Sequence, residues 1–104
     1  GLKYFAEAAE AGDVHARDHL GRKEDRKGNH VAAMRHWRLS AAGGYTPPMG
    51  DLIGCFEDGL LHHGDLAETL QAMYRSRAEM RSEERVQYIE HMKETGRYND
   101  GFDL

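Results

Sequence analysis

The chain has 104 residues, the size of one small domain, with 39% hydrophobic residues, 31% charged residues and a mean hydropathy of −0.79. That balance suits an elongated molecule whose elements each keep one wet face, while one Trp, five Tyr and three Phe set in a periodic pattern weigh against disorder. Fourteen Lys and Arg against eighteen Asp and Glu (net −4) give nonspecific nucleic-acid binding little electrostatic support, the single Cys55 excludes an internal disulfide or cysteine zinc cluster, and no apolar run nears the ~20 residues that span a membrane.

Taken in chain order, periodicity and end signals predict six helices, at 2–11, 14–27, 30–42, 47–60, 65–80 and 83–95, followed by an irregular tail over 96–104. The chain opens on Gly1 without an initiator methionine or signal-like segment, which is expected of a processed or excised piece. The second helix is unusual: after Leu20 it runs Gly21-Arg22-Lys23-Glu24-Asp25-Arg26-Lys27 with no apolar residue, so its last turns must be solvated or meet polar groups. Pro47 and Pro48 suit a first helical turn, with Thr46 as its cap. Met49, Leu52, Ile53, Phe56 and Leu60 form an apolar stripe, and Leu66, Leu70, Met73 and Tyr74 form the stripe facing it. Ser82 before Glu83-Glu84 reads as the start of a last helix, with Val86, Ile89 and Met92 turned inward.

The chain also repeats itself. Tyr4-Phe5-Ala6-Glu7-Ala8-Ala9 through Gly12, Ala16 and Leu20 aligns without gaps, at an offset of 32, with His36-Trp37-Arg38-Leu39-Ser40-Ala41 through Gly44, Pro48 and Leu52. Gly28-Asn29 corresponds to Gly64-Asp65 at an offset of 36. Paired small residues (Ala8-Ala9, Ser40-Ala41) allow two helices to approach closely, bulky Phe5 and Trp37 fill the space beside them, and Gly12, Gly28, Gly44 and Gly64 fall where left-handed turns are due. A two-helix unit of this length is that of a tetratricopeptide-type hairpin.

On these residues the chain resembles the Sel1-like branch of the tetratricopeptide class. The run from Ala33 to Ala41 followed by Gly44 resembles its signature of an alanine, an aromatic pair, a double alanine and a glycine, and Ala16 to Gly21 resembles the opening of the next helix. Gly64-Asp65-Leu66-Ala67-Glu68-Thr69-Leu70 adds likeness to a variant abundant in single-celled marine algae. The sequence departs from the pattern in three places: His36 stands at an aromatic site, Pro48 at an alanine site, and Ser76-Arg77 where a small pair is expected. The resemblance implies an all-α fold, an α-α superhelix (solenoid) of antiparallel hairpins spanning residues 1–95. It would consist of helix 2–11, repeats 13–44 and 45–80, and a capping helix 83–95.

Few constellations point to chemistry. His15 and His19, four apart on a helix, could share an ion, but no third ligand accompanies them, and no metal or other cofactor is expected. His62-His63 reads as loop surface, His36 as a satisfied seam histidine, and Cys55 as a small core filler. The carboxylates of Glu57-Asp58 and Glu83-Glu84 are adjacent in sequence and point apart on a helix. With no phosphate loop, nucleophile elbow or triad spacing, no catalytic residue and no enzymatic activity is expected.

Charge is segregated: residues 14–40 carry a local +4 and residues 41–74 a local −5 with no Lys or Arg. Two solvated faces would explain this, and so would a bipolar surface that orients a partner or stacks copies head to tail. In related arrays the first helix of each pair lines the concave face, which would place Arg22 and Arg26 near it; together with the other basic residues Lys23, Arg35 and Arg38 they are the candidate partner-binding residues, toward an acidic peptide or helix. The expected function is protein–protein interaction, as scaffold, adaptor or accessory subunit of a larger assembly. RNA binding through the basic segment 17–38 is the alternative.

Overall fold

Residues 12–96 are described by a computed structural model, and among them all regular structure is helical: α1 Val14–Arg26, α2 His30–Ala42, α3 Pro48–Glu57 and α4 His63–Glu94. The expected helix 2–11 and most of the expected tail lie outside the described residues.

Asp13 starts α1, its Oδ1 accepting from the backbone N–H groups of His15 (3.0 Å) and Ala16 (3.1 Å). α1 turns Ala16, Asp18, Leu20 and Gly21 against α2 and runs antiparallel to it. At one end the Ser40 hydroxyl donates to the Val14 carbonyl (2.6 Å), and at the other Gly21 lies against Trp37 and Ala33. The polar end of α1 closes on itself. Asn29 donates to Glu24 (2.7 Å), Lys27 pairs with Glu24 (3.9 Å), and His30 pairs with Asp25 (3.0 Å).

α2 is the central helix. It buries Ala33, Met34, Trp37, Ser40 and Ala41, the helical spacing of one face, and the small residues Ala33, Ser40 and Ala41 are fully covered, as close approach requires. Met49, Leu52, Leu61 and Met73 join these residues in one core, with Cys55, Leu66 and Leu70 packed at its edge. α2 ends at Gly43, and Gly44 takes φ +103°, a left-handed conformation that a side chain adopts only under strain. Positive φ recurs at Gly12, Gly28 and Gly44, sixteen residues apart, half of the 32-residue offset.

α3 begins with Pro48 in its first turn, as expected, but Pro47 and not Thr46 is the cap residue and no side chain caps the helix; Thr46 contributes only its carbonyl, which accepts from the Met49 N–H (3.0 Å). The helix stops at Glu57, three residues before the predicted end. Gly59 takes φ +77°, its N–H bonds the Phe56 carbonyl (3.0 Å) and that of Leu60 bonds the Cys55 carbonyl (2.9 Å), a closed C-terminal motif. The stripe is therefore buried only at Met49 and Leu52, and Ile53, Phe56 and Leu60 are exposed. Gly59, not Gly64, supplies this left-handed turn, because Gly64 lies in the first turn of α4, where its N–H donates to His62 Nδ1 (3.1 Å).

The predicted helices 65–80 and 83–95 are one helix of 32 residues, about 48 Å long at 1.5 Å per residue. From Asp65 to Thr95 there is neither Gly nor Pro, and a serine inside a helix is only weakly unfavourable, so the cap signal at Ser82 breaks nothing. Met73 is buried, Leu66 and Leu70 are half-buried, and Tyr74 and Val86 face solvent rather than a core. Ser76 and Arg77, departures from the repeat pattern, have a structural role: Ser76 donates to the Ala42 carbonyl (2.5 Å) and Arg77 to that of Gly44 (3.1 Å), closing the C-terminus of α2.

Candidate functional site

Two relations between helices place the candidate residues. α2 and α4 lie side by side and run the same way: Arg38 reaches Asp65 and Thr69, and further along both helices Ala42 and Gly44 meet Ser76, Arg77 and Met80. The charges of α1 also reach α3: Asp51 senses Asp18, Arg22 and Asp25, and Cys55 senses Asp25.

Between α2, the loop before α4 and the first turns of α4 lies an open groove of about 600 Å³. Its apolar surface comes from Val31, Leu39 and Leu60, all exposed, and Ala42 and Ala72 keep the floor low. Arg35 and Arg38 stand on the α2 side, and Asp65 and Glu68 on the α4 side. Contiguous exposed apolar surface rimmed by charge is the usual signature of a binding groove.

The five candidate basic residues are thus divided between two places. Arg35 and Arg38 line the groove, whereas Arg22, Lys23 and Arg26 lie on α1. Arg38 is held by the chain itself: Nε donates to the Thr69 hydroxyl (3.0 Å) and a terminal nitrogen lies 3.8 Å from Asp65, while Thr69 in turn donates to the Asp65 carbonyl (2.8 Å). Part of the charge segregation in the sequence is therefore neutralised inside the molecule, where the basic and acidic segments meet. Arg22 is held likewise, 3.3 Å from the buried Asp18. Arg38→Ala is expected to lower stability by about 1 kcal/mol, and Arg35→Ala by less than about 0.5 kcal/mol, in urea titrations of the two variants.

The α1/α3 face is not a plain basic patch. Partial burial and then the Asp18 charge push the Asp51 carboxyl above its ordinary range, with Asp25 adding and Arg22 opposing. A raised folded-state pKa means that ionised Asp51 is disfavoured in the native state, so its stabilising contribution exists at acid pH and is lost as pH rises. Asp51→Asn should accordingly be more stable than the parent chain at pH 7 and indistinguishable from it near pH 3, in paired denaturation curves.

The remaining titratable candidates are placed as follows. His36 is half-buried, its Nδ1 3.4 Å from an Arg17 nitrogen, and desolvation followed by the Arg17 charge lowers its pKa, so the neutral ring is favoured. His15 is exposed and packs edge-on against Tyr45 at 4.4 Å, and His62 stacks with His63 at 4.6 Å. Burial pushes the Cys55 thiol up, with Asp25, Asp51 and Asp58 adding, which disfavours the thiolate. Among the described residues no group of three or more His, Cys, Asp and Glu could hold a metal ion, and no helix is long and apolar enough to cross a membrane.

The groove itself was hidden from sequence reasoning. Val31 lies outside the core stripes, whereas Leu60 was assigned to the stripe of α3, and only the early end of α3 and the parallel setting of α2 and α4 bring the two to one groove. Comparison with protein-family models, with curated proteins and with solved structures finds no match.

Proposed function

We propose that this chain is a protein–protein interaction module of the Sel1-like, tetratricopeptide-related solenoid type, acting as a scaffold, adaptor or accessory subunit. The observation that carries the reading is the open α2/α4 groove, which leaves Val31, Leu39 and Leu60 in water next to Arg35. The antiparallel α1/α2 hairpin, with α2 parallel beside α4, supports the repeat reading, since stacked hairpins of one kind place equivalent helices side by side. RNA binding through segment 17–38 has less support. Arg22 and Arg38 are already paired with carboxylates, and Asp18, Asp25 and Asp51 crowd the α1/α3 face.

A photo-crosslinking amino acid in place of Leu60, at the rim of the groove, tests the reading in native lysate. A discrete adduct with one or a few proteins, lost when unlabelled chain competes, is the expected result. Failure to form any discrete adduct from position 60, with RNA recovered instead, would overturn it.

A further inference from the structure

Two surfaces that no other helix covers among the described residues fit each other. We propose that the α2/α4 groove receives the projecting C-terminal half of α4 from a second copy, so that the chain self-associates. The proposal rests on the interaction-module reading and names the partner.

The receiving side has an apolar floor and an unpaired charge of each sign. Val31 is 80% exposed, and Leu39 and Leu60 are about half exposed. Arg38 is taken up by Asp65 and Thr69, whereas Arg35 and Glu68, on opposite sides, form no ion pair among the described residues. A uniformly acidic occupant would suit Arg35 and be repelled by Glu68. The groove therefore fits an occupant with an apolar stripe between one acidic and one basic edge.

The second half of α4 has that pattern. Beyond Met80, which touches Gly44, residues 81–88 are all exposed, and the helix continues for about 21 Å to Glu94. Val86, exposed, and Ile89 and Met92, half-buried, are three apart and share one face, which the Lys93 stem also enters. Glu83, Glu90 and Glu94 lie along one edge of that face, and Arg81 and Arg85 along the other, all five exposed. None of these five forms an ion pair among the described residues. Along α2 the groove runs from Val31 to Ala42, about 17 Å or three turns, which the projecting segment is long enough to fill. A helix laid in a groove buries both sets of apolar side chains, which two concave grooves facing each other would not do. If each copy inserts α4 into the other, the contact closes as a dimer, and a one-way contact builds longer chains.

Sedimentation velocity of the full chain from about 1 to 300 µM tests this. Concentration-dependent association is expected. Val86→Lys should weaken it by about thirtyfold or more, and Arg35→Glu or Glu90→Lys by about fivefold each. The double variant R35E/E90K should regain the parental association, while circular dichroism stays unchanged throughout because all three positions are exposed. A chain that remains monomeric at every concentration, or one whose association ignores both Val86→Lys and Arg35→Glu, overturns the proposal. If the crosslinker at position 60 still captures a different protein from lysate, only the self-pairing falls and the interaction-module reading stands. If neither self-association nor a discrete adduct is found, both fall.

Discussion

Trp37→Ala is expected to cost this fold about 3–5 kcal/mol. The indole is only 4% exposed and lies in the cluster formed by Ala33, Met34 and Ala41 of its own helix with Met49, Leu52, Leu61 and Met73 from the rest of the chain. It also closes the α1/α2 contact, because Gly21 approaches the ring edge directly. Domains of this size are stable by about 5–15 kcal/mol, so the loss is a large fraction of the total. Urea titration followed by far-ultraviolet circular dichroism at low temperature measures it without relying on the lost fluorophore. A cost below about 1 kcal/mol would mean that the ring is no part of the core. Trp37→Phe separates volume from polarity. Nε1 is buried and finds no acceptor among the described residues, so phenylalanine removes an unsatisfied donor along with the lost ring volume. Its cost should be roughly half that of alanine or less.

The position of Trp37 was readable in the sequence, and the reason is local. Helix α2 was predicted at 30–42 and occupies His30–Ala42, because a turn with positive φ bounds it on each side, at Gly28 and at Gly44. Inside those bounds Ala33, Met34, Trp37, Ser40 and Ala41 repeat at the helical period. Where prediction missed, two local signals disagreed. The apolar stripe through Leu60 argued for a longer α3, but Asp58-Gly59 is a stop signal, and a closed C-terminal motif won. At Ser82 a start signal argued for a new helix, but without Gly or Pro to end the one before it, the backbone stayed helical.

The candidate site was less legible, for a different physical reason. Five basic residues were singled out because they cluster in sequence, yet their neutralisation is a tertiary property. Arg38 finds Asp65 twenty-seven residues away, and Arg22 is anchored by an aspartate one turn earlier that the fold buries. Arg35 has no such ion pair, and sequence spacing cannot distinguish it from Arg38 on the same helix. Charge runs therefore predict where counter-charges must be found, while the side chains left over for a partner emerge only once the helices are set side by side.

Gly21→Leu should change sign with its background. In the parent chain an added Cβ would lie 2.6 Å from both Cδ1 and Nε1 of Trp37 and 3.2 Å from the Ala33 carbonyl oxygen. A rigid ring and a backbone carbonyl cannot yield as the end of a flexible side chain can, so overpacking of about 1–3 kcal/mol and the further bulk of leucine oppose a gain of about 1 kcal/mol in helix propensity. Overpacking wins, with a net loss of about 2 kcal/mol. In the Trp37→Ala background the ring is gone and only the Ala33 carbonyl stays close: leucine from α1 enters the space the indole filled, the propensity gain remains, and the double variant should be about 1 kcal/mol more stable than Trp37→Ala alone. The two effects differ by about 3 kcal/mol, at the upper end of coupling between residues in contact. A leucine that destabilised both backgrounds equally would show that Gly21 is required by the α1 backbone or by Ala33, and that the indole does not set the spacing of the two helices.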